Sequence, residues 1–157
     1  MTDLRDEVRR AAEPYPDRHS AVLEALRLAQ ERHDGWLPPE ALVEVAGALE
    51  VTPAYVRSIA SFYDLLHLEP VGRHMVEVCT NLACALVGAQ RVVDAFEQEL
   101  GVPPGETTPD GAVTFRTVEC LGGCGYATVV AVDGRYHQFV KAEDVPAIAE
   151  EVRGGAG

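Results

Sequence analysis

The stretch Met75-Val-Glu-Val-Cys79-Thr-Asn-Leu-Ala-Cys84 decides the fold, because the sequence pattern changes here from helical to strand-like. Its first five residues include one charged side chain and two valines. This composition predicts a β-strand that ends in the first cysteine. Apolar residues then recur at intervals of three and four. This spacing predicts one long amphipathic helix closed by Gly101, with an irregular first turn around Cys84. The apolar face of the helix comprises Leu82, Leu86, Ala89, Val93, Phe96 and Leu100.

A second cysteine motif, Cys120-Leu-Gly-Gly-Cys124, follows a strand predicted at 113–119. A hairpin with an Asp133-Gly134 turn and a last amphipathic helix complete this part of the chain. A right-handed crossover makes the first two strands parallel, so that their carboxyl ends lie at one edge of the sheet. We therefore expect the loops that begin at Cys79 and Cys120 to meet, although they are far apart in sequence.

The sequence pattern before these motifs predicts helices. One helix is expected at 20–32, a second after Pro39, and a third that begins with Thr52 as its N-cap. The predicted fold class is therefore α+β. It combines an amino-terminal helical bundle at 1–73 with a second, α/β lobe at 74–157.

Composition restricts the class of partner. The 157 residues carry 25 acidic and 13 basic side chains, which gives a formal net charge of −12. Nucleic acids and anionic membranes are bound largely through basic side chains, so we expect neither as a partner. No apolar run reaches the roughly 18 residues of a membrane span, so direct membrane insertion is not expected either.

The four cysteines are predicted to be thiols rather than disulfides. The amino terminus mixes both charge signs and has no apolar segment, which favours a cytoplasmic location. In that reducing compartment, paired cysteines are more often metal ligands than disulfide partners.

Three chemistries compete for these thiols. Structural zinc accepts spacers of up to four residues, so the spacings of four and three are compatible with it. A thioredoxin-type dithiol requires Cys-x-x-Cys, which this chain lacks. A 2Fe-2S cluster takes two thiolates on each of two irons, which matches two separated pairs. The spacing alone favours the cluster and leaves zinc, or thiols that only pack in the core, as alternatives.

No other catalytic group is visible in the sequence. The five histidines are scattered, and we interpret them as surface or packing residues. Neither a Gly-x-Gly-x-x-Gly turn nor a Walker loop is present, so nucleotide binding by this chain is not predicted. The sequence therefore predicts no catalytic residue of its own.

The two cysteine motifs belong to a longer ordered set. The set consists of Gly35-Trp-Leu-Pro-Pro-Glu40, Ser61-Phe-Tyr63, Pro70-Val-Gly-Arg73, Val78-Cys-Thr-Asn-Leu-Ala-Cys84 and Val118-Glu-Cys-Leu-Gly-Gly-Cys124. In order and spacing it resembles the thioredoxin-like 2Fe-2S E subunits of NADH:quinone oxidoreductase, or complex I. The similarity runs from about Ser20 to Val152.

The resemblance implies a thioredoxin-like second domain that binds one 2Fe-2S cluster. The implied ligands are Cys79, Cys84, Cys120 and Cys124. It also implies an electron-transfer subunit with no activity alone, docked on a flavin- and NADH-binding subunit that holds the FMN and NADH. Further iron-sulfur subunits and a peripheral position on the cytoplasmic face of the membrane are implied as well.

Similar modules occur in NAD-dependent formate dehydrogenases and NAD-linked hydrogenases, so an equivalent role there is the first alternative. A zinc-stapled structural adaptor is the alternative from another class. The chain departs from the family pattern at two positions near the predicted site. Gly123 stands where alanine is common, which we expect only to loosen the loop, and Thr128 stands where proline is common.

Overall fold

The structure, a computed structural model, describes residues 3–154. The chain divides into two compact units between Pro70 and Val71. Residues 71–73 then lead into the first strand, which begins at His74. The boundary expected from the sequence pattern, after Arg73, lies at the end of this short connection.

The first unit is built from helices. Within residues 3–70, its core consists of apolar side chains from four helices and from connecting segments, with Leu26, Leu37 and Leu49 almost completely removed from solvent. Each such side chain contributes roughly 1.5–3 kcal/mol through burial. The helices are α1 (Leu4–Ala12), α2 (Val22–Arg32, preceded by a 3-10 turn at Arg18–Ala21), α3 (Pro39–Leu49) and α4 (Pro53–Phe62).

Three of these helices are predicted by the sequence pattern, and the first is not. The N-cap role of Thr52 is confirmed, because its side chain accepts a hydrogen bond from Tyr55 N at 3.2 Å. Helix α1 gives no clear sequence signal because only Leu4 and Val8 are buried in an otherwise charged segment. Its N-cap is Asp3, a residue type that favours helix starts.

The second unit contains a five-stranded mixed sheet in the order β2-β3-β1-β4-β5. Strands β1 and β3 are parallel, as predicted, and the other pairs are antiparallel. Two 3-10 turns lie at Cys124–Tyr126 and Ala142–Asp144. The strands are β1 (His74–Cys79), β2 (Glu106–Thr107), β3 (Val113–Val118), β4 (Val130–Val132) and β5 (Arg135–His137), and the helices are α5 (Leu82–Val87), α6 (Ala89–Leu100) and α7 (Val145–Gly154).

The prediction of a single long helix after Cys79 is wrong, because two helices occupy this segment. Gly88 adopts a left-handed conformation with φ +103°, and this residue ends α5 and begins α6. Glycine reaches that conformation without steric cost, so the chain changes direction here although the apolar spacing continues. As a result Leu82 and Leu86 are exposed, whereas the apolar side chains of α6 are buried.

The core of the second unit lies between the sheet and helices α6 and α7. Phe96 of α6 and Phe115 of β3 are fully buried, with ring centroids 5.7 Å apart. The predicted apolar face of the last helix is confirmed, because Val145 and Val152 are both in this core. Within residues 3–154, no helix combines the length and apolar character that a bilayer span requires.

Candidate metal centre

The four cysteines fall on four different local structures. Cys79 is the last residue of β1 and Cys84 lies within α5, and both are buried. Cys120 follows β3 and Cys124 begins a 3-10 turn, and both are exposed. All four are free thiols. One pair thus faces the interior of the unit and the other faces solvent.

The sheet brings the two cysteine loops together. Cys79 is the direct partner of Val118 in the parallel pairing of β1 and β3. Thr80 N donates to Val118 O at 3.0 Å, and Cys79 Sγ lies 3.9 Å from Glu119 O. The chain therefore reaches Cys120 immediately beside Cys79. This confirms that the loops meet at one edge of the sheet.

Cys84 joins this edge from the helix side. Burial raises the pKa of its thiol, and a hydrogen bond from Val129 N–H opposes the rise. The neighbouring cysteines raise the pKa of Cys84 further, because its S–H donates a hydrogen bond to the Cys79 sulfur and because negative charge on Cys79 or Cys124 would repel the Cys84 thiolate. Cys79 and Cys124 are therefore both close enough to Cys84 to affect its ionisation. A soft metal that replaces the thiol protons would relieve that repulsion.

Backbone groups and a side chain from the hairpin surround the second loop. Gly122 N donates to Cys120 Sγ at 3.3 Å, and Tyr136 Oη donates to Leu121 O at 2.7 Å. The sequence predicts no part in the site for either Tyr136 or Val129. Tyr136 lies in a strand whose pattern indicates only a hairpin, and Val129 lies in a run of β-branched residues typical of any buried strand.

One departure from the family pattern, Gly123, lies within this loop, and the other, Thr128, follows Cys124 by four residues. A Cβ atom on Gly123 would come within 2.8 Å of Val129 Cγ2. The expectation that glycine here only loosens the loop is therefore incomplete, because the missing side chain also leaves space for Val129. At the second position, the peptide bond between Ala127 and Thr128 is cis.

The donors suit an iron-sulfur group. Thiols are the ligands of such clusters, and the N–H of Gly122 already donates to a cysteine sulfur, as N–H groups do around iron-sulfur sites. Within residues 3–154, no three His, Cys, Asp or Glu side chains converge closely enough to hold a single metal ion. The assignment of all four cysteines as ligands stays a prediction from the sequence.

Comparison with known proteins gives the family. Residues 8–153 match the family model of the thioredoxin-like 2Fe-2S ferredoxins. The second NADH-quinone oxidoreductase E subunit of Rhizobium meliloti is 45% identical over 150 residues, which covers 96% of this chain and 89% of the relative. NADH-quinone oxidoreductase subunit 2 of Thermus thermophilus is 36% identical, with 98% and 86% of the two chains covered.

A solved structure supports the fold over most of the chain. The match is the crystal structure of an NAD+-reducing NiFe-hydrogenase in the air-oxidized state, with a TM-score of 0.74 and 20% identity. The alignment covers 87% of this chain but 23% of the hydrogenase chain. At this identity the likeness concerns the fold alone.

Proposed function

Because the chain belongs to the thioredoxin-like 2Fe-2S ferredoxin family and, within it, to the E subunits of NADH-quinone oxidoreductase, we propose that it holds one 2Fe-2S cluster and transfers electrons within such a complex. The observation that carries the proposal is the meeting of the two cysteine loops at the carboxyl ends of β1 and β3. The proposed ligands are Cys79, Cys84, Cys120 and Cys124.

The protein supplies a half-buried sulfur pocket. Cys79 and Cys84 pack with Ala89 and Val129 in a small apolar cluster, which excludes water from the inner side. Cys120 and Cys124 close the outer side and are exposed to solvent or to a partner. The N–H of Gly122 stabilises negative charge on the Cys120 sulfur. This arrangement gives the pocket a sheltered and an accessible side.

When bound, a 2Fe-2S group supplies one-electron redox chemistry. NADH gives up a hydride, which carries two electrons, so a flavin must separate them. The sequence contains no nucleotide-binding motif, and we therefore assign FMN and NADH to a partner subunit. The chain alone is accordingly proposed to be an electron carrier with no dehydrogenase activity.

Helix α5 offers a surface for that partner. Leu82 and Leu86, which flank Cys84 in the sequence, are 71% and 78% exposed, and Val87 is exposed beside them. Apolar side chains grouped next to a redox site are typical of a protein interface. We propose that the flavin- and NADH-binding subunit covers this surface, which would also shelter the outer pair of cysteines from solvent.

Membership of the family supports a proposal about the wider assembly. We propose that further iron-sulfur subunits accept electrons in the same complex, and that the complex lies on the cytoplasmic face of the membrane. An acidic chain with no basic patch in its sequence suits this protein-only set of partners. Nucleic acid has no place in the proposal.

Metal analysis of anaerobically purified protein tests the cofactor. After iron-supplemented expression we expect two irons and two acid-labile sulfides per chain, and an S = 1/2 EPR signal only after reduction. One equivalent of zinc with no iron would overturn the proposal and support a zinc-stapled adaptor. The colour of the purified protein distinguishes the two at once, because zinc sites are colourless and 2Fe-2S proteins are red-brown.

Co-expression with a flavin- and NADH-binding subunit of such a complex tests the partner. We expect a stable complex that oxidises NADH, whereas the chain alone does not. Leu86→Asp should weaken the complex, and Gln98→Asp, which adds the same charge at an exposed position near the end of α6, should not. A parent complex that oxidises formate or hydrogen would be a formate dehydrogenase or hydrogenase instead.

A further inference from the structure

One peptide group links Tyr136 to a cysteine sulfur. The hydroxyl of Tyr136 donates to the carbonyl oxygen of Leu121 at 2.7 Å. The N–H of the same peptide group belongs to Gly122 and donates to Cys120 Sγ at 3.3 Å. The two hydrogen bonds therefore lie at opposite ends of a single amide, and the tyrosine reaches the sulfur through it.

An amide transmits polarisation from one end to the other. The C–N bond has partial double-bond character, so withdrawal of electron density at oxygen makes the N–H a stronger donor. Hydrogen bonds in such a chain strengthen one another by about 10–30%. The hydroxyl of Tyr136 therefore strengthens the N–H···S bond to Cys120 beyond what Gly122 would give alone.

The hairpin holds the hydroxyl in place. Tyr136 pairs with Ala131 of β4, and Ala131 pairs in turn with Glu77 of β1. The turn of the hairpin is tied to the start of β1 through Asp133, whose carboxylate accepts from Met75 N at 2.8 Å and contacts His74 Nδ1 at 2.7 Å. The tyrosine is thus fixed relative to the strand that carries Cys79.

We propose that Tyr136 is a positioning residue that raises the reduction potential of the cluster through the Leu121–Gly122 amide. The inference rests on the proposed 2Fe-2S function. Reduction adds negative charge to the cluster and its sulfur ligands, and a stronger N–H···S bond stabilises the reduced form more than the oxidised form. Hydrogen bonds to the sulfur ligands are among the factors that set such potentials.

The alternative is that the hydroxyl only anchors the loop. Tyr136 is 48% exposed, so its loss would leave no fully buried polar group without a partner. A water molecule at Leu121 O is a weaker donor than a phenol and would replace the hydroxyl only in part. Tyr136→Phe keeps the aromatic ring and removes only the donor. A tuning role and an anchoring role then differ in what the variant changes: the potential in the first case, and cluster retention or folding stability in the second.

The test compares the full-length chain with Tyr136→Phe and with Tyr126→Phe as the matched control. Tyr126 lies two residues after Cys124, and among residues 3–154 its hydroxyl makes no hydrogen bond to an amide of the site. Iron and sulfide are measured first, and potentials are then determined by redox titration followed by EPR. At a fixed potential we expect the reduced-to-oxidised ratio of Tyr136→Phe to fall about twofold, a shift of roughly 20 mV to more negative values. Tyr126→Phe should match the wild type.

Two further measurements test the direction of the shift in potential and its transmission through the Leu121–Gly122 amide. 3-Fluorotyrosine at position 136 is a more acidic donor and should shift the potential in the positive direction. Proton ENDOR of the reduced protein should show a weaker coupling of the Gly122 amide proton in Tyr136→Phe. An unchanged or more positive potential in Tyr136→Phe overturns the inference, as does a loss of stability alone. A chain that holds no iron overturns the proposed function itself, which is decided before any potential is measured.

Discussion

Arg116 Nε donates to Glu77 Oε1 over 2.9 Å, and the two residues are direct partners in the parallel pairing of β1 and β3. Glu77 is only 8% exposed, so this ion pair is largely shielded from water. Two residues further along each strand, Cys79 pairs with Val118. Side chains two apart share one face of a sheet, so the pair fixes the register of the strands just before both cysteine loops.

Removal of one partner of this pair should destabilise the second unit. Glu77→Ala takes away the carboxylate that neutralises the Arg116 guanidinium in a poorly solvated position, and we expect a loss of about 2 kcal/mol in the free energy of unfolding. Anaerobic chemical denaturation measures it. The double variant Glu77→Met with Arg116→Met should lose less, because an apolar pair needs no compensation. A double variant that is less stable than Glu77→Ala would contradict this account.

Gly88, which separates two helices, and Gly47, which lies within one, should respond to alanine in opposite directions. Gly88 has φ +103°, and a Cβ there would lie 2.6 Å from Arg91 Nη2, so Gly88→Ala should lower the free energy of unfolding by about 1–2 kcal/mol. Gly47 lies inside α3, where a Cβ would meet no heavy atom within 4 Å. Gly47→Ala should therefore raise the free energy of unfolding by about 0.5–1 kcal/mol. Thermal unfolding of both variants checks the signs, and equal signs would refute the assignment of Gly88 as the helix break.

The break at Gly88 shows that apolar spacing in the sequence predicts helical structure but does not locate where one helix ends and the next begins. Apolar spacing from Leu82 to Leu100 predicts one helix because a spacing of three and four is insensitive to a single left-handed residue within it. Parallel pairing of β1 and β3, by contrast, follows from the handedness of the crossover and needs no knowledge of side-chain contacts. The topology that joins the cysteine loops was therefore predictable, whereas the exposure of Leu82 and Leu86 was not.

Alanine at position 123 should be unfavourable in this chain. A Cβ on Gly123 would lie 2.8 Å from Cγ2 of Val129, and that valine is buried and restricted to few rotamers. Gly123→Ala should therefore cost about 1 kcal/mol in stability and speed the loss of the cluster in air. The matched control is Gly125→Ala, whose Cβ would meet no atom within 4 Å.

A second substitution tests whether contact with Val129 causes the loss of stability in Gly123→Ala. Val129→Ala creates space beside position 123, so Gly123→Ala should cost less in that background than in the wild type. Denaturation of the four proteins of this cycle measures the difference. Equal costs in both backgrounds would exclude Val129 as the source of the effect.

The residues around the sulfur atoms were the part that sequence could not supply. Cysteine spacing identified the donors, because thiols are rare and their grouping is visible in the sequence. Val129 N–H reaches Cys84, and Tyr136 reaches Leu121, only through the fold of the hairpin onto β1. Such contacts depend on backbone geometry between distant segments, and neither residue type carries a signal for them.

The proposed ligand set makes the sharpest prediction. Cys84→Ala removes a buried thiolate and Cys120→Ala an exposed one, and we expect each to lower iron content per chain at least about tenfold, because the loss of a metal bond exceeds the effect of any outer contact. Thr117→Ser, at an exposed position on β3 three residues before Cys120, is the control and should keep the full complement. Iron and sulfide assays on anaerobically purified protein, with EPR of the reduced samples, provide the measurement. If either alanine variant kept two irons and the wild-type spectrum, that cysteine would not be a ligand, and the cluster would have to be held by a different set of donors.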